Sequence, residues 1–408
     1  MDRIAESLKN KRFVFWEEIA RDGAQAKTIL TGKQRAEIAR DHGSLFNNNG
    51  PDHLVFAAGF TSIGKEEVDA IKMQADQVDN CYLAVNCRSS KSEISQSLDA
   101  IKKAKYARIA YVLPASERLC QLMLHKTQKE VLKQGIEIAK YAVDKAGGIP
   151  VDVQLAASFD ADPVFVAESA AALKNEGIAI AHLGDTRGRL YPKPLANYLK
   201  VMIKNSDEDQ LYGLHFHNDL GFALMNNFEG IKQGIYLAAT SWLGLAERNG
   251  LARTELLSFH LSYQAEQMIE NIGIDGKNLF LSEPKLHMLS PITNKVSNYT
   301  GVPLKVTDPI VGTGVNSIST GTPFVDTASF QPFDTEKVLG IKKKVLVTQL
   351  ASIRVIKEVS INMGYDLNET QIQKILSYVK SNAYKINRSI VPKNELKEIF
   401  KKALNDEV

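Results

Sequence analysis

Eight short, β-rich apolar runs alternate with segments of helical spacing along the first part of the chain, and that alternation constrains its fold more than any other feature. The runs are Phe13–Ala20, His53–Ala58, Asn80–Val85, Ala107–Leu113, Val151–Ala156, Ile178–Leu183, Leu211–His217 and Leu237–Leu243. Between them, Gly32–Asp41, Glu66–Asp76, Ser90–Ala104, Thr127–Ala146, Pro163–Glu176, Leu195–Ile203 and Met225–Gln233 carry helical periodicity. Several open on Thr, Ser, Asp or Pro, residue types favoured at helix starts. A strand, a helix and another strand in succession imply a parallel crossover. Eight such units in about 250 residues have the size of a closed (β/α)8 TIM barrel rather than an open doubly wound sheet. No glycine-rich dinucleotide turn follows the first run, which argues the same way.

The pattern changes near residue 265. A turn-rich stretch punctuated by Pro284, Pro291, Pro303, Pro309, Pro323 and Pro332 leads to helical segments at Leu346–Met363, Glu369–Ala383 and Lys393–Leu404. A loop of that length needs short elements of its own or a second subunit to wrap. The expected organisation is a barrel over 1–265, a linker subdomain over 266–345 and a smaller, mainly helical C-terminal subdomain over 346–408.

With 408 residues and 44% hydrophobic content, the chain can bury a sizeable core. Its 50 basic and 47 acidic residues leave a net charge of +3, so neither nucleic acid nor a membrane surface is an expected partner. Met1–Arg12 is charged and lacks the apolar stretch of a signal peptide, and no run approaches the roughly 18 apolar residues of a membrane span. Cys81, Cys87 and Cys120 form neither a disulfide framework nor zinc-site spacing, so the expected compartment is the reducing cytoplasm.

The chemistry-bearing residues fall at the C-terminal ends of the runs, the face on which barrel enzymes build their sites. His215-Phe216-His217 ends the seventh, and alternation along a strand turns both imidazoles to the same side. Asp22 follows the first, and strand one closes against strand eight, one step from seven. A lone aspartate after a strand is commonly a helix cap, and a rim histidine pair can be simple polarity. Together they offer one carboxylate and two imidazoles to a divalent metal (Mg²⁺, Mn²⁺ or Zn²⁺). Such a set leaves positions open for a 2-oxo acid to bind through its carboxylate and keto oxygen. Arg21, beside the proposed ligand, can hold a carboxylate or stabilise an enolate oxygen. Gly184-Asp185-Thr186 and Gly244-Leu245-Ala246-Glu247-Arg248-Asn249-Gly250 end runs six and eight.

Arg21-Asp22-Gly23-Ala24-Gln25, His215-Phe216-His217-Asn218-Asp219 and Glu247-Arg248-Asn249-Gly250 together resemble the DRE-TIM metallolyases, in the branch of 2-isopropylmalate, homocitrate and citramalate synthases. The likeness continues through Pro309-Ile310-Val311-Gly312 and Gln331-Pro332-Phe333-Asp334, so it covers nearly the whole chain. It implies a domain-swapped homodimer and a Claisen condensation in which an acyl-CoA carbanion attacks a metal-bound 2-oxo acid. By motif position, Asp22, His215 and His217 are the implied ligands and Arg21 the polarising residue. Glu247 is a candidate catalytic group, and Gln25, Arg88, Thr186 and Asn249 are implied substrate contacts.

The chain departs from the family pattern in ways that bear on the acyl donor. Leu155-Ala156-Ala157-Ser158 stands where the family carries carboxylates, Ala110 or Tyr111 where it has a histidine, and Leu251 where an asparagine adds a metal contact. Two C-terminal family histidines are replaced within Ile318-Ser319-Thr320-Gly321-Thr322-Pro323 and Thr348-Gln349-Leu350-Ala351. A positioned general base contributes typically 10²–10⁴-fold, so either another residue supplies it, with Tyr111, His182 and Glu247 as candidates, or the nucleophile differs from an ordinary acyl-CoA, or the chain no longer catalyses condensation. The expected function is an acyltransferase of this type with an altered second-substrate or base site. A metal-dependent lyase, aldolase or decarboxylase, and a catalytically degenerate binding homologue, are the alternatives.

Overall fold

The computed structural model describes residues 2–26, 28–320 and 329–405. Each of the eight apolar runs overlaps a strand: β1 (Val14–Glu17), β2 (Leu54–Phe60), β3 (Tyr82–Arg88), β4 (Ala107–Pro114), β5 (Val151–Ala156), β6 (Ala181–Asp185), β7 (Tyr212–Phe216) and β8 (Leu237–Ser241), of which β2, β3, β4 and β6 run past the expected ends. All pair in parallel and in sequence order, and β1 closes on β8 with Val14 opposite Leu237 and Glu17 opposite Thr240. The (β/α)8 barrel expected from the alternation is therefore present, followed by a helical C-terminal region. Helix starts follow the capping residues: Thr31 and Thr127 form reciprocal capping boxes with Gln34 and Glu130.

Period-two alternation sorts the strand residues. Val14, Trp16, Val55, Ala57, Tyr82, Ala84, Ala110, Leu237 and Ala239 fill one buried cluster, which Ile4 and Leu8 of the helix Arg3–Lys9 join at the N-terminal end. That end also holds a buried ion network. Arg108 of β4 makes a fork to Asp152 of β5 at 2.8 and 2.7 Å, and its remaining nitrogen reaches Asp2, the cap of the N-terminal helix, at 2.6 Å. Arg108 and Asp152 are fully buried, where a charge is tolerated only if paired.

Glu17, pointing the other way from Trp16, enters the layer between strands and helices. It accepts from the Trp242 and Ile19 amides at 3.0 and 3.1 Å, and it pairs with the Thr254 hydroxyl, which lies 2.9 Å from Thr240 Oγ1. Burial pushes the Glu17 carboxyl up to about 8 against the pull of those bonds. In the protonated form it donates to Thr254, which passes its own proton toward Thr240.

Two compact units divide the chain, Met1–Pro303 and Leu304–Val408. In the first, residues beyond β8 cover the barrel flank: Phe280 stacks on Phe15 and Phe46, and Lys295 of the helix Leu289–Thr300 pairs with Asp41. In the second, Ser317–Ile318 pairs with Lys344–Val345, and the helices Ile353–Asn362, Glu369–Lys385 and Lys393–Leu404 enclose Val355, Ile356, Ile372, Ile375 and Phe400. The helix expected from Leu346 begins only at Ile353. The Leu346 amide bonds Ile318 as an extension of the strand pair, a turn closes Thr348 to Ala351, and Ser352 supplies the cap. Similarly, β1 ends before Ala20 because the Arg21 and Gly23 amides fold back onto the Glu18 carbonyl. Among the described residues no helix is long and apolar enough to cross a membrane.

Two outcomes follow for stability. Asp152→Ala strands half of the Arg108 charge in the core and should cost about 3 kcal/mol or more in chemical denaturation, whereas Arg108→Met with Asp152→Leu should recover most of that loss. A carboxyl with a raised folded pKa stabilises fully below its ordinary 4.5 and loses that contribution as pH rises to about 8. Stability measured across that window should therefore decline by roughly a few kcal/mol in the wild type. The decline should flatten in Glu17→Gln, whose amide keeps the acceptor for Trp242 and a donor for Thr254.

Candidate metal centre

The turn after β1 builds one side of the site. Trp16 faces the barrel interior, so Glu18, two residues on, continues inward and is fully buried. The chain then reverses over residues 18–23. Gly23 sits where an added Cβ would lie 3.2 Å from Ile19 Cδ1. This reversal sets Arg21 and Asp22 over the mouth. The Arg21 guanidinium is forked onto Glu18 at 2.7 and 2.6 Å, and its Nη1 lies 3.5 Å from Asp22 Oδ2.

The end of β7 builds the other side. His215 Nε2 lies 3.4 Å and His217 Nε2 3.9 Å from Asp22 Oδ2, and the two rings are 5.1 Å apart. The intervening Phe216 packs the other way, against Phe159, as alternation requires. One ligand atom from each of Asp22, His215 and His217 falls within 4.8 Å of the others. Asp22 Oδ1 is held by the Glu247 amide at 3.0 Å, which leaves Oδ2 turned to the histidines. His217 Nδ1 is buried without a hydrogen-bond partner among the described residues. One carboxylate oxygen and two imidazole nitrogens in this arrangement fit a divalent ion of the first transition row or Mg²⁺.

The electrostatics suit that occupant. Burial opposes ionisation of Asp22, but Arg21, then His215 and His217, outweigh it and hold the carboxyl well below the usual range. Burial, reinforced by His215, pushes His217 down to about 4, against the pull of Asp22. Near neutral pH the group is thus a carboxylate beside a neutral imidazole, the form that binds metal.

The remaining residues of interest lie on the rim. Glu247 contributes its amide to the cluster, while its half-exposed carboxylate pairs with Arg248 at 3.1 Å. Thr186, after β6, receives the Ala157 amide on its hydroxyl at 2.8 Å and Arg248 on its carbonyl at 2.6 Å. Arg88 ends β3, largely exposed beside Glu93, and Gln25 and Asn249 are exposed in the loops after β1 and β8. The Gln25 amide donates to the Asp22 carbonyl at 2.9 Å, but no side-chain hydrogen bond or ion pair among the described residues joins Gln25, Arg88 or Asn249 to the cluster. Leu251 is buried, bridged to His217, and offers no side-chain donor.

Of the relocated-base candidates, Tyr111 faces away from the mouth, its hydroxyl donating to the Gly135 carbonyl of the helix Gln128–Ala146 at 3.3 Å. His182 lies inside the barrel with its ring 4.4 Å from Trp16. Burial keeps it strongly neutral, and its Nε2 has no hydrogen-bond partner among the described residues.

Sequence reasoning missed the fastening of the rim. Arg248, in a left-handed conformation, forks onto Asp219 at 3.0 Å through both nitrogens while also reaching Thr186. Gly188 makes room for it, since a Cβ there would stand 2.3 Å from Asp219 Oδ2. The loops after β6, β7 and β8 are thereby tied together. Asp219 and Arg248 were visible within their motifs, but nothing in the spacing linked them.

Comparison with known proteins agrees with this architecture. The chain is 26% identical over 383 residues to 2-isopropylmalate synthase of Bacillus licheniformis, covering 91% of this chain and 69% of that one. It is 24% identical over 378 residues to homocitrate synthase AksA of Methanocaldococcus jannaschii, covering 91% and 87%. Hydroxymethylglutaryl-CoA lyase from Pseudomonas aeruginosa shares the fold, with a TM-score of 0.55 at 18% identity over 72% of this chain and 94% of that one. The HMGL-like profile matches residues 13–279, the stretch that holds all eight strands and the cluster, and the chain belongs to the HMGL-like family of DRE-TIM barrels.

Proposed function

We propose that this protein is a divalent-metal-dependent acyltransferase that condenses an acyl-CoA with a 2-oxo acid. The observation that carries the reading is the convergence of Asp22, His215 and His217 beside Arg21 at the barrel mouth. The similarity to 2-isopropylmalate and homocitrate synthases supports it. Asp22, His215 and His217 would hold Mg²⁺, Mn²⁺ or Zn²⁺, which when bound supplies Lewis acidity to the keto group of the 2-oxo acid.

The chain's own residues do the rest. Arg21, fixed by Glu18, meets the developing negative charge with Nη1 and costs no reorganisation at that moment. The Glu247 amide keeps Asp22 aimed at the histidines. Gln25, Arg88, Thr186 and Asn249 contact the substrates from the rim loops. In the reaction the acyl α-carbon loses a proton and bonds to the keto carbon. The keto oxygen takes up a proton, and hydrolysis of the thioester releases CoA as the thiol. His182 and Glu247 are the candidate proton acceptors, and of the two Glu247 stands at the rim with its half-exposed carboxylate 3.1 Å from Arg248.

The altered C-terminal stretches indicate an acyl donor or a base unlike that of the synthases. Thr348-Gln349-Leu350-Ala351 forms a tight turn with no histidine, and of Ile318–Pro323 the last three residues lie outside the described residues. The reading includes a cytoplasmic homodimer built from a barrel over 1–265, a linker over 266–345 and a helical part over 346–408.

Incubation with Mg²⁺ or Mn²⁺, a panel of 2-oxo acids and a panel of acyl-CoAs should release free thiol for at least one pair. Asp22→Ala should reduce the rate by at least about 10²-fold, in line with the several kcal/mol a Lewis acid contributes. No thiol above the Asp22→Ala background for any pair rejects the condensation. Metal-dependent release of a 2-oxo acid from a hydroxy acid, without condensation, would assign a lyase instead.

A further inference from the structure

Glu18 is a fully buried carboxylate that belongs neither to the hydrophobic core nor to the metal-binding trio. A buried charge persists only where its surroundings compensate it, so its contacts indicate its role. Its Oε2 accepts from Arg21 Nε at 2.7 Å and its Oε1 from Arg21 Nη2 at 2.6 Å. The same Oε1 also faces His215 Nδ1 at 3.6 Å. The far side of that ring, Nε2, faces Asp22 Oδ2 at 3.4 Å. The imidazole therefore stands between two carboxylates, with Glu18 on Nδ1 and Asp22 on Nε2.

An imidazole binds metal through one nitrogen only when its proton sits on the other, and a carboxylate beside that other nitrogen favours this arrangement. Glu18 stands on that side of His215, 3.6 Å from Nδ1, close enough to draw the proton there by its charge rather than through a formed hydrogen bond. The fork engages two of the Arg21 nitrogens and leaves Nη1 as the one directed to Asp22. His217 has no equivalent support, for its Nδ1 is without a partner among the described residues. The two histidines are thus held unequally, and the better-held one shares its support with the active-site cation.

We infer that Glu18 is a positioning residue that keeps the proton of His215 on Nδ1 and fixes Arg21 in a fork, so that one buried carboxylate presets both a metal ligand and the neighbouring cation. The inference rests on the reading of Asp22, His215 and His217 as ligands. Replacing Glu18 with Ala frees the ring to place its proton on Nε2, facing Asp22, where a metal must displace it. Glu18→Gln preserves the shape, but an amide cannot present two acceptor oxygens to the guanidinium.

The test combines two measurements on full-length wild type, Glu18→Ala, Glu18→Gln and Glu18→Asp. In metal-free protein labelled with ¹⁵N-histidine, the Nδ1 chemical shift of His215 should report a protonated nitrogen in the wild type and an unprotonated one in Glu18→Ala. Calorimetric titration with Mn²⁺ should show affinity about 10–100-fold weaker in Glu18→Ala and Glu18→Gln, with partial recovery in Glu18→Asp. If Glu18→Ala does not fold, the isosteric Glu18→Gln carries both measurements. An unchanged Nδ1 signal together with unchanged Mn²⁺ affinity would leave Glu18 a structural clamp for Arg21 alone and overturn the inference. If the wild type binds Mn²⁺ no better than His215→Ala, the metal reading fails, while the metal-free ¹⁵N signal still decides the role of Glu18.

Discussion

The pairing of β1 with β8 is the constraint on which the site depends. Asp22 and the histidine pair lie far apart in sequence, and no local interaction brings them together. Closure does so, because once Glu17 stands opposite Thr240 the turn after β1 must emerge beside the ends of β7 and β8. The Glu247 amide can then reach Asp22, and the carboxylate turns its other oxygen toward the imidazoles. A barrel that failed to close would retain every motif and have no site, since the donors would stand on opposite edges of an open sheet.

Two neighbouring acids show how much strand geometry decides. Glu17 and Glu18 have the same side chain and are both fully buried, yet alternation sends them to opposite sides of the wall. Outside, Glu17 finds amides and hydroxyls but no cation, and burial favours its proton. Inside, Glu18 meets Arg21 and is matched as a charge. One joins the sheet to its neighbours, and the other organises the mouth.

Much of this is legible in the sequence. Eight runs with period-two apolar character had to be strands, and the intervening helices had to be crossovers, because parallel strands permit little else. The His-x-His spacing placed two rings on one face without further information. What resisted reading was set by tertiary partners. The length of the 18–23 reversal depends on which carbonyl the Arg21 and Gly23 amides find. The delayed start at Ile353 depends on a strand pairing with Ile318 that no local periodicity encodes. Arg108 and Asp152 look like surface charges in sequence and become a core pair only when adjacent strands bring them into the barrel base. Glu18 was hidden for the same reason, since an acid beside an Arg-Asp motif reads as one more rim charge.

The fastening of Arg248 to both Asp219 and the Thr186 carbonyl, with Gly188 clearing the space, has a consequence for how such a protein can diversify. Loops on barrels are usually regarded as independent modules that can be exchanged one at a time. Here three of them share a single guanidinium, and a graft of any one from a relative would arrive without its counterpart. The heritable unit of change on this side of the mouth is the trio. New specificities would be reached more readily by altering loops outside this trio, or by replacing all three tied loops together.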